Sequence, residues 1–266
     1  MVGFIGTGNM GGTLAAAAAA ALGGDGLYLV DRDTEKANAL AARLGAHAVT
    51  GKEAARDCGM LFLGVKPQVL ADAVAELSAV LAARAEAPLI VSMAAGVSLE
   101  KLAGMLPGQF PVIRIMPNTP AAVGEGMILY APGTGVTDGQ IAAFEAAMAA
   151  AGQVCRIEER LIDAASAVSG CGPAFVYLFV EGLADGGVEC GLPRDLALRL
   201  AAQTVLGSAA MVSRTGTHPG ALKDAVCSPG GTTIAGVHAL ENGGFRGCAM
   251  DAVTAAYDRT LELAGR

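Results

Sequence analysis

Tryptophan is absent from this 266-residue chain, aromatic residues make up 4% of it, and charged residues only 16%. Histidine occurs three times, at 47, 218 and 238, and each is expected to be structural or exposed. No Ser/His/Asp arrangement and no Gly-x-Ser-x-Gly elbow is present, so no nucleophile motif is expected. The six cysteines (58, 155, 171, 190, 227 and 248) form no Cys-x-x-Cys pair and no Cys/His group at zinc spacing. No metal site is therefore expected, and the thiols are expected to be reduced and mostly buried, as in a cytosolic protein. Lysine and arginine nowhere cluster, and the formal charge is −7, which excludes nucleic acid and anionic membrane as expected partners. The longest apolar run, LAAAAAAAL at 14–22, is shorter than the roughly 20 residues that span a bilayer. It also lacks the basic flank of a secretory signal. With 53% hydrophobic residues, the chain reads as a globular, cytoplasmic protein.

Glycine, by contrast, is plentiful and sits in telling places. VGFIG (2–6), a short apolar strand, runs into Gly6-Thr7-Gly8-Asn9-Met10-Gly11, and a helical stretch over 13–22 follows. In such a turn the first glycine permits the bend and the second lets a pyrophosphate approach the backbone. The third lets helix and strand pack closely, while the helix N-terminus attracts phosphate. A second strand, LYLVD (27–31), ends in Asp31, 20 residues after Gly11, where a ribose-reading carboxylate belongs. Further strands are predicted at 60–65, 89–93, 112–116, 127–131 and 154–157, with helices over 34–43, 52–57, 68–83, 98–105 and 137–151. Apolar strands alternating with helices predict a parallel sheet covered on both faces. The expected fold class is α/β, with an N-terminal Rossmann-like doubly wound sheet over residues 1–158. Its ligand crevice is expected at the loops 6–11, 31–33, 64–67, 93–97 and 116–120, two of which carry Lys66 and Asn118.

Beyond residue 158 the strand signals stop. Helices are predicted over 161–169, 174–191, 193–216 and 218–228, then in IAGVHALENGG (234–244) and GCAMDAVTAAYDRTLELA (247–264), giving an all-helical domain over 159–266. These helices are apolar on more than one face, more than a domain this small can hide alone, so interlocked helices of a homodimer are expected. Glu158-Glu159 reads as a solvated pair near the domain boundary. One loop stands out: CSPGGTTIAG (227–236) sets two glycines among the hydroxyls of Ser228, Thr232 and Thr233. It is either a turn between helices or an anion cradle, and without a Gly-Lys-Ser/Thr ending it is not a nucleotide P-loop.

A nicotinamide-type fold with no evident acid, base or metal suits a reaction needing little proton transfer from the protein. Reduction of an imine is one, because a protonated imine is already a strong electrophile. The chain resembles the Δ1-pyrroline-5-carboxylate reductases in GFIGTGNMG (3–11), VKP (65–67), RIMPNTP (114–120), SGCGPAFVYLFVEGLADGGVECGL (169–192), HPGALKDAVCSPGGTTIAG (218–236) and LENGGFR (240–246). The resemblance implies reduction of the cyclic imine pyrroline-5-carboxylate to L-proline with NADPH or NADH. It also implies a helical dimerisation domain, often within a ring of dimers. By the same resemblance Gly6, Gly8, Asn9 and Met10 would line the pyrophosphate, Val65, Lys66 and Pro67 would border the cofactor, and Asn118 would lie near the nicotinamide. Ser228, Gly230, Gly231, Thr232 and Thr233 would hold the substrate carboxylate, with Thr233 nearest the ring nitrogen as orienter and proton relay.

Two positions depart from the family pattern. Gly51 stands where the family commonly has a cofactor-contacting Asn. VDRD (30–33) sets Asp31, which suits an NAD ribose, beside Arg32, which suits a 2′-phosphate, and so leaves both cofactors open. The nearest alternative is a dehydrogenase of the β-hydroxyacid or 6-phosphogluconate type, whose catalytic Lys could only be Lys223, the one lysine beyond 101. A non-catalytic dinucleotide-binding regulator would leave RIMPNTP and SPGGTT unexplained.

Overall fold

The computed structural model describes residues 1–263, so the expected helix end at Ala264 and the last residues of the domain expected to reach 266 lie outside the described residues. The chain divides into two compact units: Met1–Cys171 with the end of the chain from Tyr257, and Gly172–Ala256.

In the first unit the strands are β1 (Val2–Ile5), β2 (Leu27–Val30), β3 (His47–Ala48), β4 (Met60–Leu63), β5 (Leu89–Ser92), β6 (Val112–Met116), β7 (Gly126–Pro132) and β8 (Gly152–Arg156). The helices are α1 (Asn9–Leu22), α2 (Thr34–Leu44), α3 (Gly51–Asp57), α4 (Pro67–Ala82), α5 (Leu99–Met105), α6 (Asp138–Met148) and α7 (Ile162–Ser169). One eight-stranded sheet has the order β3-β2-β1-β4-β5-β6-β7-β8. Every residue of β4, β5 and β6 is buried, as strands covered on both faces require. Alternate residues divide between two cores. Phe4, Phe62, Val91 and Ile113 meet Leu14, Ala15 and Ala18 of α1 and Phe144 of α6 on one face. Ile5, Leu61, Leu63 and Ile90 meet Ala54 of α3, Leu70, Val74 and Leu77 of α4 and Leu102 of α5 on the other. Small alanines let α1 sit close, with Ala15 and Ala18 fully buried.

The doubly wound class is as expected, but the sheet is not wholly parallel. β7 runs antiparallel to β6, pairing Ile113 with Pro132 and Met116 with Leu129. The segment between them holds only a 3₁₀ turn, Thr119–Val123, and a parallel return needs a crossover of a dozen or more residues. The two-residue β3, paired to β2 through Tyr28–His47 and Leu29–Ala48, is too short to show a period. Helix α1 begins four residues before the expected stretch, at Asn9. The order of the sheet places the functional crevice. The chain builds β2 and β3 on one side of β1 and then crosses to β4 on the other, so the switch point lies at the C-terminal ends of β1 and β4.

Arg114 sits mid-strand in β6 at 3% exposure. Its Nη2 donates to Asp163 Oδ1 of α7 at 2.7 Å, and its Nη1 lies 3.5 Å from Glu159 Oε1. The same Glu159 oxygen accepts the Leu99 N–H at 2.6 Å. The expected solvated pair is therefore half right. Glu158 is exposed and pairs with Arg160, whereas Glu159 turns inward to the arginine and to the start of α5.

The second unit consists of α8 (Gly172–Glu189), α9 (Arg194–Thr215), α10 (Pro219–Ala225), α11 (Thr232–Asn242) and the first part of α12 (Phe245–Leu263). Its buried core is a small cluster of Ala184, Ala197 and Ala201 where α8 meets α9. Leu178, Leu206 and Met250 are 69%, 56% and 70% exposed, so large apolar faces stay open in the single chain. An 18-residue stretch within Glu159–Glu189, which begins in the first unit, and one within Arg194–Thr215 have mean hydropathies of 1.4 and 1.3, enough by length and composition alone to cross a membrane. The same openness corrects the expectation of mostly buried cysteines. Cys58 is buried, but Cys190, just past the end of α8, and Cys248 on α12 are exposed, and all six thiols are free.

Arg114→Leu removes the cation facing Asp163 and Glu159. The expected cost is about 3 kcal/mol, read as a lower midpoint in urea melts, whereas an unchanged midpoint would show the network to be dispensable.

Candidate functional site

The glycine turn packs backbone against backbone. Gly6 has φ of 93°, in the region that favours glycine, and its N–H donates to Val30 O at 2.8 Å. A Cβ on Gly11 would stand 2.1 Å from Gly6 O, whereas one on Gly8 would meet nothing within 4 Å. The space beside Gly8 is therefore open. Helix α1 starts there with no side-chain cap, leaving its first N–H groups without intrahelical partners. That is the arrangement a pyrophosphate needs.

Next to the turn lies a cavity of about 490 Å³ whose wall includes Gly6, Gly8, Asp31, Arg32, Val65 and Lys66. Gly51 also lines it. Its size is that of a cofactor cleft. The observed residues thus fit a dinucleotide: an uncapped helix start, an open glycine and an acid at the end of β2. Asp31 Oδ2 accepts from Thr7 N at 2.8 Å and from Thr7 Oγ1 at 2.9 Å, and Oδ1 accepts from Asp33 N at 3.2 Å. Burial pushes this carboxyl up, but the hydrogen bonds from Asp33 and Thr7, with Lys36 nearby, outweigh it and hold the group below its ordinary value. Lys66 forms the N-cap of α4 and Pro67 its first residue. Asn9 opens α1, and Met10 packs against the core cluster under that helix.

Asn118, at the end of β6, is 8% exposed. Its Nδ2 donates to Ser169 O at the end of α7, and its Oδ1 accepts from Met127 N of β7, both at 2.9 Å. Its amide thus ties three elements together. Together with Arg114, whose signal was a charge inside an apolar strand, it shows where sequence reasoning missed structural roles.

In the second unit, the SPGGTT loop turns at Gly230, φ 63°, and the Gly231 N–H donates to Ser228 O at 3.0 Å. The Ser228 hydroxyl folds over Gly231, 2.3 Å from where a Cβ there would lie. Helix α11 then starts at Thr232 behind Gly231, with no side-chain cap. Ser228, Thr232 and Thr233 are exposed around this start. His218 is accounted for: its Nδ1 accepts from Gly220 N at 3.1 Å and caps α10. Lys223 donates to Asp224 Oδ1 at 2.5 Å, and that bond holds its pKa above the ordinary value, the opposite of what a catalytic base needs.

Residues 159–263 match the family described as pyrroline-5-carboxylate reductase dimerisation, and residues 1–96 the one described as NADP oxidoreductase, coenzyme F420-dependent. Pyrroline-5-carboxylate reductase of Glycine max is 45% identical over 98% of this chain and 95% of its own length. The chain belongs to the pyrroline-5-carboxylate reductase family. The Escherichia coli pyrroline-5-carboxylate reductase is 40% identical over 98% of this chain and 97% of its own. Among solved structures, Plasmodium falciparum pyrroline carboxylate reductase with NADP bound aligns with a TM-score of 0.87 and 32% identity, covering 99% of this chain and 97% of that one. In this pyrroline-5-carboxylate reductase family member, the uncapped starts of α1 and α11, each behind a glycine, fall on motifs that carried the resemblance.

A carboxyl whose folded pKa is lowered adds stability above its unfolded value and loses it as pH falls through the folded one. Asp31→Asn should therefore flatten part of the acid-side decline in stability, read by urea melts between about pH 2 and pH 6. An acid limb identical to that of the unsubstituted protein would show that these hydrogen bonds do not favour the charged form.

Proposed function

We propose that this chain reduces L-1-pyrroline-5-carboxylate to L-proline by hydride transfer from NAD(P)H to the ring imine, the last step of proline biosynthesis. What carries the reading is the near full-length match to relatives named for this reaction. NAD(P)H, when bound, supplies the hydride. The chain's own part is placement. Gly6, Gly8, Asn9 and Met10 hold the pyrophosphate on the start of α1, Asp31 and Arg32 meet the adenosine ribose, and Val65, Lys66 and Pro67 border the dinucleotide. Asn118 shapes the nicotinamide end by fixing β7 and α7. The backbone N–H groups and hydroxyls of Ser228, Gly230, Gly231, Thr232 and Thr233 hold the substrate carboxylate at the start of α11. Thr233 orients the ring nitrogen and relays a proton; a hydroxyl is too weak an acid to do more, and a protonated imine asks for no more.

The domain boundary is proposed at 158/159, where the dimerisation match begins. The open faces of α8, α9 and α12 are assigned to a second copy of the chain, in a homodimer through the helical domain and a ring of dimers. That assignment accounts for their hydropathy without a membrane. Six free thiols suit a reducing, cytoplasmic location.

Purified protein should oxidise NADH or NADPH only when pyrroline-5-carboxylate is added, and no imine-dependent oxidation with either would refute the assignment. Thr233→Val should raise the KM for the imine by about tenfold, the worth of one hydrogen bond to a charged group, with a smaller change for the dinucleotide. Equal losses would remove Thr233 from the substrate site. Sedimentation equilibrium should show at least a dimer, dissociated by Leu178→Glu combined with Leu206→Glu; a monomeric parent protein would overturn the proposed partner.

A further inference from the structure

Thr7 is 2% exposed, a buried hydroxyl beside the open space at Gly8 in the glycine turn. Its N–H and Oγ1 both donate to Asp31 Oδ2, at 2.8 and 2.9 Å, across 24 residues of chain. The Asp33 N–H holds the other oxygen at 3.2 Å, so Asp31 is gripped from two loops. A carboxylate offers about four acceptor positions. Three are filled and one remains, on a side chain that lines the same cavity as Gly6, Gly8 and Gly51. One open acceptor suits a ribose hydroxyl, which brings a proton. A 2′-phosphate brings none, and it adds a charge of about −1.5 to −2 beside a carboxylate that its three bonds keep from swinging aside. Arg32 and Lys36 line the cavity too, but both are exposed, and salt screens what they return.

We propose that Thr7 is a specificity-determining residue, fixing the Asp31 carboxylate so that this chain selects the dinucleotide without a 2′-phosphate. The inference rests on the dinucleotide reading of the glycine turn. The hydrogen bonds that fix the carboxylate also keep it ionised, so the discrimination persists across the neutral range.

The test is calorimetric titration of the full-length protein, without imine, using NAD+ and NADP+ in turn. NAD+ should bind the unsubstituted protein at least about tenfold more tightly. Thr7→Val, which keeps the volume and removes the hydroxyl, should cut that ratio severalfold, while Thr7→Ser should preserve it. Asp31→Ser should cut it further by weakening NAD+ and strengthening NADP+. A merely structural Thr7 would weaken both ligands alike and leave the ratio unmoved, which would overturn the inference. NADP+ binding as tightly as NAD+ to the unsubstituted protein would overturn it directly, whether or not Thr7→Val folds. Folded protein that binds neither would overturn the dinucleotide reading itself, and the inference with it.

Discussion

The arrangement depends on a crowded carbonyl. Gly6 O at the end of β1 is approached by the start of α1 and by the end of β4 so closely that a Cβ on Gly11 would lie 2.1 Å away and one on Gly64 2.5 Å. Three backbone segments meet with no side chain between them. That contact sets α1 directly behind the strand ends at the point where the sheet order reverses, so its N-terminal N–H groups open into the crevice. Any larger residue at 11 or 64 would push the helix back and move the donors with it. Steric closeness here fixes electrostatic position.

The way the helices begin tells a consistent story. Five helix starts are satisfied by their own side chains: Asp33 for α2, a capping box of Thr50 and Glu53 for α3, Ser98 for α5, Thr137 with Gln140 for α6, and His218 for α10. Helices α4, α7 and α9 lack a side-chain cap and begin behind Lys66, Leu161 and Pro193, whereas α1 and α11 lack one and begin behind Gly8 and Gly231. A Ser, Thr or Asp cap is worth about 1 kcal/mol over alanine, and glycine keeps most of the backbone benefit while leaving the space empty. Both starts are therefore free to accept an anion from outside the chain. In the proposed reaction they would take its two anionic groups, a pyrophosphate and a carboxylate.

Much of this was legible in the residues. The strand-turn-helix spacing of GFIGTGNMG marked the first helix start, and the clash of SPGGTT with its helical surroundings marked the second. What escaped was set by partners distant in the chain. Nothing local to MILYA shows which way β7 runs, because direction follows from the length of the connection and the edge left open by β6. Glu159 reads as solvent-facing until β6 brings Arg114 beside it. Asn118 reads as a ligand contact because its loop is a crevice loop, yet its amide is occupied by Ser169 and Met127. Asp31 stands at the spacing of a ribose-reading carboxylate, but no local pattern shows the grip of Thr7 on it from 24 residues away.

Assembly and chemistry are linked through the second unit. Its only buried cluster is three alanines, and an amphipathic helix gains most of its stability from what covers its apolar face. The SPGGTT loop is thus carried by helices whose own chain leaves Leu178, Leu206 and Met250 open. In the proposed function this loop holds a small carboxylate to within a fraction of an ångström, and that would need rigid supports. In the proposed homodimer the second copy provides that rigidity by covering the helices, and the substrate loop is held in place by the same contacts that pair the chains. Substitutions far from SPGGTT that loosen the paired helices would then weaken substrate binding while leaving the dinucleotide cavity, built wholly within the first unit, as it was.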